Sequence, residues 1–319
     1  MRRIISFIVA FCLVLLSACS TTVNRDAAID SRINAGEKRL KIAATIFPPF
    51  DFAKAISKDK AEVKMLMPTG AESHDYEPTL QNIDTVSRCD IFIYVGGSAD
   101  KWAKKLLDAV PNNTRTVICL TEEVPTLKID GSEHSHSHSH DHDDEIDEHV
   151  WTDPKNVEII VEKIAEILCE KDSENTSVYI ENLEAYKKEL TKLDNDIKNT
   201  VTAAKYNVLA FADKFPFRYL ANAYKLNYVS ALDGCDSDTE PTLAAVQEVI
   251  NTIEKYGLSF VIYTEDSSGD IAESISKMTG AEPRLLYSCH NISRSQLESG
   301  ETYISLMNKN ISVLKEALN

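Results

Sequence analysis

From Asp172 to Tyr206 the chain contains no Gly or Pro, and Tyr179, Leu183, Tyr186, Leu190, Leu193, Ile197 and Val201 recur at spacings of 4, 3, 4, 3, 4 and 4. That recurrence is the 3.6-residue period of one buried helical face. It predicts a single helix of about 28 residues, about 42 Å long at about 1.5 Å per residue. A helix of that length suits a strut across a whole molecule. A coiled-coil segment is the alternative, weakly supported because no further heptads follow.

The segments on either side of the strut share one pattern. Before it, Ile42–Phe47 reads as a strand stopped by Pro48-Pro49, Val63–Met67 as one stopped by Pro68, Asp90–Val95 as one ended by Gly96-Gly97, and Thr116–Leu120 as a fourth. A helical pattern spans Trp102–Val110, and Asp153-Pro154 marks the start of another, running to about Glu170. After the strut, Val208–Phe211, Tyr228–Leu232, Ser259–Tyr263 and Arg284–Tyr287 read as strands. Helices are expected there at Phe217–Tyr224, Leu243–Tyr256, Ile271–Met278 and Glu298–Leu318. Alternating β and α segments predict parallel sheets covered by helices. The expected fold is therefore α/β: two parallel-sheet lobes, residues 40–171 and 205–319, joined by one long rigid helix, residues 172–204, with a cleft between them.

The N-terminus reads as an export signal. Arg2 and Arg3 precede an apolar run, Ile4–Leu16, broken only by Ser6 and shorter than a spanning helix needs. The run ends in Leu16-Ser17-Ala18-Cys19, which resembles a bacterial lipoprotein box. On this reading residues 1–18 are removed, Cys19 carries lipid, and residues 19–39 form a tether to the extracytoplasmic face of the cell membrane. The formal charge of −16 argues against a nucleic-acid partner and against electrostatic adhesion to anionic lipid. Of the 7 cysteines, Cys12 lies in the signal, and Cys89, Cys119 and Cys169 sit in apolar periodic segments where buried thiols are expected. Cys235 and Cys289 lie in loops of an exported chain and are the candidates for a disulfide.

The distribution of the 8 histidines points to metal. Five, His134, His136, His138, His140 and His142, alternate with serine or aspartate in a tract flanked by Asp143, Asp144 and Glu145. A loose run of this kind binds zinc weakly at several points. His74, His149 and His290 each sit just after a strand or at a loop–helix border, where α/β folds place their binding loops. Imidazole is the commonest metal ligand and suits zinc, and three imidazoles with one oxygen would make a tetrahedral site. The ligands lie far apart in sequence, unlike the close pair of an HExxH metalloprotease.

At these residues the chain resembles the metal-binding lipoproteins of bacterial ABC importers for zinc and manganese. The similarity runs through His74-Asp75-Tyr76-Glu77-Pro78, through His149-Val150-Trp151-Thr152-Asp153-Pro154, and through Gly300-Glu301-Thr302-Tyr303 with Leu306, Met307 and Asn310. An acidic, His-rich loop ahead of His149 is similar to the zinc-handling members. The resemblance implies two α/β lobes bridged by a rigid helix, metal in the interlobe cleft, and a permease partner. It departs from the family at the third ligand, where Phe211-Ala212-Asp213 offers no histidine and Asp213 becomes the nearest candidate. The fourth family position falls near Ser288-Cys289-His290-Asn291, so His290 would supply the missing imidazole, with Glu265 as the reserve oxygen donor. Glu240, just before Pro241, looks instead like a helix-start residue.

The function implied is capture of Zn²⁺ outside the membrane and delivery to an ABC permease, by a monomer that is not an enzyme. Manganese is the alternative metal, disfavoured because it prefers more oxygen ligands. A secreted zinc hydrolase, with Glu72 or Glu148 as base, and a surface adhesin or scaffold are the competing classes.

Overall fold

The computed structural model describes residues 39–71, 76–98, 100–129, 146–232 and 240–319. His74, Cys19, Cys235 and the five tract histidines lie outside the described residues.

Strand faces explain the architecture. In β1 (Leu40–Ala44), Ile42 and Ala44 join one apolar core while Ala43 joins another; in β3 (Ile91–Tyr94), Ile91 and Ile93 part from Phe92 and Tyr94 in the same way. With β2 (Ala61–Met65) and β4 (Thr116–Cys119) these form a sheet of order β2-β1-β3-β4. Its pairings are all parallel, and both faces are covered, as parallel sheets require. The second half repeats the plan with β5 (Val208–Phe211), β6 (Asn227–Ser230), β7 (Phe260–Tyr263) and β8 (Glu282–Leu285), parallel in the order β6-β5-β7-β8. Leu209 and Phe211 face inward, and Val208 and Ala210 outward.

The helices are α1 (Phe47–Ser57), α2 (Leu80–Ser87), α3 (Lys101–Ala109), the single turn α4 (Leu120–Glu123), α5 (Pro154–Lys171), α6 (Thr176–Thr202), α7 (Arg218–Tyr224), α8 (Leu243–Tyr256), α9 (Asp270–Thr279), α10 (Arg294–Glu298) and α11 (Tyr303–Ala317). The strut is α6. It buries Tyr179, Leu183, Tyr186, Leu190, Leu193 and Ile197, the anticipated stripe, with Val201 half-buried at its end. It packs on α5, α1 and α11. Polar bonds fix its position at both lobes: the Asn182 side chain donates to the Ile56 carbonyl at 2.9 Å, and the Tyr224 hydroxyl of α7 donates to Asp194 at 2.8 Å. The inner faces of both sheets and these helices share one continuous core. No helix among the described residues is long and apolar enough to cross a membrane.

Three local readings are corrected. Pro48-Pro49 do not stop a strand; β1 ends at Ala44, and the prolines open α1, where their missing N–H groups are not needed. Strand β8 starts at Glu282 rather than Arg284 and contains Pro283, tolerated because β8 is an edge strand. The helix expected from Glu298 starts only at Tyr303, and Glu298 ends the separate short helix α10. Gly300 turns the chain at φ +82, and Thr302 then caps α11 through the Ser305 N–H.

Candidate metal centre

In sheets of this order the connections leaving β1 and β3, or β5 and β7, diverge at the carboxyl edge, where α/β proteins bind ligands. Each such point is laced by a buried aspartate. In the first lobe Asp100 accepts the Val95 N–H at 2.6 Å and the Thr45 hydroxyl at 3.0 Å, joining the ends of β3 and β1. Burial pushes its carboxyl up to about 7. In the second lobe Asp213, just past β5, accepts the Thr264 N–H at 3.2 Å just past β7. Burial raises its carboxyl to about 6.

His149 arrives on a tightly pinned segment. The Asp147 N–H donates to the Leu127 carbonyl, Val150–Thr152 form a 3₁₀ turn, and Asp153 caps α5 by accepting the Lys155 N–H. Asp147 Oδ1 accepts the His149 backbone N–H at 2.8 Å and lies 3.0 Å from its Nδ1. Burial alone would raise the Asp147 carboxyl, but the charge and hydrogen bonds of His149, with Arg218 Nε 3.4 Å away, hold it below its ordinary range. A carboxylate beside Nδ1 orients the ring, and in that arrangement Nε2 is the nitrogen suited to ligate a metal. Behind it, the Tyr219 hydroxyl donates to the Asp147 carbonyl at 2.7 Å and accepts the Leu127 N–H at 3.0 Å.

His290 is placed by the turn after β8. Glu265 accepts the Ser288 N–H at 2.7 Å and the Ser288 hydroxyl at 2.8 Å, and the same hydroxyl accepts the His290 N–H at 3.1 Å. The Trp151 indole N–H donates to the Ser288 carbonyl at 2.8 Å, crossing from one lobe to the other. Trp151 stands 5.3 Å from the His149 ring and 5.5 Å from the His290 ring, and the two imidazoles are 5.4 Å apart.

Glu148 completes the group. One ligand atom each from Glu148, His149 and His290 all lie within 4.8 Å of one another, and the three residues are buried. Tetrahedral zinc with bonds of about 2.0–2.1 Å needs its ligand atoms about 3.4 Å apart, a small side-chain adjustment from this geometry. Gly97 makes room for it. Its φ is +78, and a Cβ there would fall 2.5 Å from Glu148 Oε2 and 2.8 Å from Glu148 Cβ. Gly97→Ala should therefore weaken zinc binding by about 10-fold, the scale of losing a group that orients a ligand. It should also lower the melting temperature, because an alanine is strained at that φ. A competition titration and a thermal melt check both.

Of the anticipated ligands, the structure brings His149 and His290 together. Neither anticipated carboxylate belongs to this group: Asp213 laces β5 to β7, and Glu265 braces the His290 turn. Burial, then the charge of Asp266, pushes the Glu265 carboxyl up to about 7. Sequence reasoning weighed Glu148 only as a hydrolytic base. Its adjacency to His149 was the available signal, but its approach to His290 depends on the fold. Of the two candidates for a disulfide, Cys289 is a free thiol, fully buried in the shared core, and Cys235 lies outside the described residues. Cys89 and Cys119 are buried free thiols and Cys169 a half-buried one.

A family model described as "Zinc-uptake complex component A periplasmic" matches residues 42–317. The chain is 28% identical to the zinc-binding lipoprotein AdcA of Streptococcus pneumoniae, over 99% of its own length but only 61% of that protein's. It is also 28% identical to the high-affinity zinc uptake system protein ZnuA of Bacillus subtilis, over 98% of this chain and 96% of that one. Among solved structures, the Zn(II)-bound ZnuA-like domain of Streptococcus pneumoniae AdcA aligns with a TM-score of 0.72 at 28% identity, covering 88% of this chain and 99% of the domain. The periplasmic zinc binding protein TroA of Treponema pallidum shares the fold, with a TM-score of 0.73 at 21% identity over 88% of this chain and 99% of its own.

Proposed function

This chain belongs to the zinc-uptake complex component A family, and from that premise we propose that it captures Zn²⁺ outside the membrane and delivers it to an ABC permease. The observation that carries the reading is the buried group of Glu148, His149 and His290, which joins donors from the two lobes. In this reading His74 is the fourth ligand. Three imidazoles and one carboxylate leave a net charge of 2 − 1 = +1 at bound zinc, less to bury than the bare ion. Nitrogen-rich ligation favours zinc over manganese. Zinc is cargo here, and the chain carries out no reaction on it.

The test is a zinc titration against a chelator of known affinity. One tight zinc per chain is expected, with weaker sites in the tract. Deleting Glu133–His142 should remove only the weak ones; loss of the tight site in that deletion, or its absence from the intact chain, would sink the reading. The same reading makes Cys19 a lipid anchor on the extracytoplasmic face and the chain a monomer. Cys19→Ala should move the protein from the membrane fraction to the soluble one, and continued sedimentation with membranes would contradict the anchor.

A further inference from the structure

A cavity of about 490 Å³ lies where the α7–β6 turn of the second lobe meets Leu127 and Lys128 of the first. Small-molecule sites have volumes of about 300–1,000 Å³. The chain carries a formal charge of −16, yet the charged residues lining this cavity are Lys128, Arg218 and Lys225, with no acid among them. Asn222 and Asn227 add amide groups, and Leu127 and Leu226 an apolar wall.

The walls of the cavity are held in place. The Leu127 N–H donates to the Tyr219 hydroxyl at 3.0 Å, tying the two lobes together here, and Lys128 pairs with Ile146 in an antiparallel bridge. Arg218 Nη1 donates to the Tyr228 hydroxyl at 3.0 Å, and its Nε stands 3.4 Å from Asp147 Oδ2. Only 15% of the Arg218 side chain is exposed, whereas Lys128 and Lys225 are exposed residues at the rim. Lys225 ends α7 at φ 58, where glycine or asparagine is the usual residue. The dipole of α7 accounts for one cation at that end. It does not account for three cations on one cavity without an acid. Asp147, which does not line the cavity, offsets part of the Arg218 charge. Like charges gathered this way repel, and an anion between them relieves the repulsion.

We propose that this cavity is a binding site for a small organic polycarboxylate, two or three carboxylates on a short carbon chain. Carboxylates are charge-assisted partners for one guanidinium and two ammonium groups. The carbon chain lies against Leu127 and Leu226, a wall that an inorganic oxyanion would leave unused. The site is distinct from the group of Glu148, His149 and His290, and the proposal does not depend on the zinc reading. What joins the two places is Arg218, which also pairs with Asp147, the carboxylate beside His149.

The experiment is a calorimetric titration of the zinc-free, full-length chain at low salt, with tricarballylate as the probe and inorganic phosphate as the comparison. The variants are Lys128→Gln, Lys225→Gln and their double, with Lys104→Gln, an exposed lysine of α3, as the control for net charge. One tricarballylate should bind per chain, at least about 10-fold tighter than phosphate. Each pocket variant should weaken it by about 10-fold and the double by about 100-fold, while Lys104→Gln changes it by less than about 2-fold. Melting temperatures should match the wild type, because both pocket lysines are exposed. No binding by the wild type overturns the proposal. So does phosphate binding as tight as that of tricarballylate, or an equal loss in Lys104→Gln, which would reduce the effect to bulk charge. Markedly tighter binding after deletion of Glu133–Glu145 also overturns it, because the chain's own acids would then be the occupant. None of these outcomes involves zinc, so failure of the zinc reading leaves the proposal standing and failure of the proposal leaves that reading untouched.

Discussion

His290→Ala should reduce zinc affinity by at least about 100-fold, and His149→Ala should do the same. Structural zinc sites bind with about 10–16 kcal/mol shared among four ligands, so one imidazole accounts for about 3 kcal/mol, or about two decades in Kd. Both rings are buried, so neither is replaced freely by water. Asp147→Asn is the graded companion. It keeps the size of the side chain but removes the carboxylate that orients His149, and the expected loss is about 10-fold to 100-fold. The pH dependence has a definite sign. The ligating imidazoles bind zinc in their neutral form, so affinity falls as pH drops through about 6.5 and protons compete for the ring nitrogens. Competition titrations at pH 7.5 and pH 5.5 check this. Wild-type affinity in His290→Ala would remove the second lobe from the site. Undiminished affinity in Glu148→Gln, with loss in Asp213→Ala, would return the oxygen role to Asp213.

Trp151→Ala should be the most destabilising single change near the site, costing about 3–5 kcal/mol. Trp151 is fully buried, its indole N–H donates to the Ser288 carbonyl, and its own carbonyl accepts the Tyr303 hydroxyl at 2.7 Å. Alanine would leave a cavity between the lobes and an unpaired carbonyl at Ser288. For a chain of this size the drop in melting temperature is about 10 °C. Trp151→Phe fills most of the cavity and should cost less than half as much, separating packing from the hydrogen bond. A melting temperature within about 2 °C of wild type in Trp151→Ala would show that the indole is not what holds the lobes together.

Much of this fold was legible because it depends on period. The apolar stripe of α6 follows from spacing alone, and the strands were legible as short apolar runs between helical segments. The misreadings came from residues that carry two meanings. A proline pair can end a strand or open a helix, and only the burial of Phe47 and Phe50 in α1 decides. Within the site, His149 and His290 were legible as histidines at loop borders. Glu148 was not, because its approach to His290 depends on the fold; it packs against Gly97, on another strand connection. Asp213 and Glu265 were anticipated as oxygen donors from their positions, and the structure shows each accepting a loop N–H, a contact that no spacing in the sequence announces.

The continuous core described above bears on how the molecule tells one ion from another. Proteins that close around a ligand can reject a poor fit during closure. Here, swinging the lobes apart would part Phe52 from Tyr303 and break the Trp151–Ser288 and Tyr303–Trp151 hydrogen bonds, with a cost of about 25 cal/mol for each Å² of apolar surface exposed. That cost opposes rejection of a poor fit by a wide opening of the lobes. In the proposed reading, copper, which binds nitrogen donors more tightly than zinc does, would compete for the same imidazoles. Selection between the two ions would then lean on which free ions the surroundings supply.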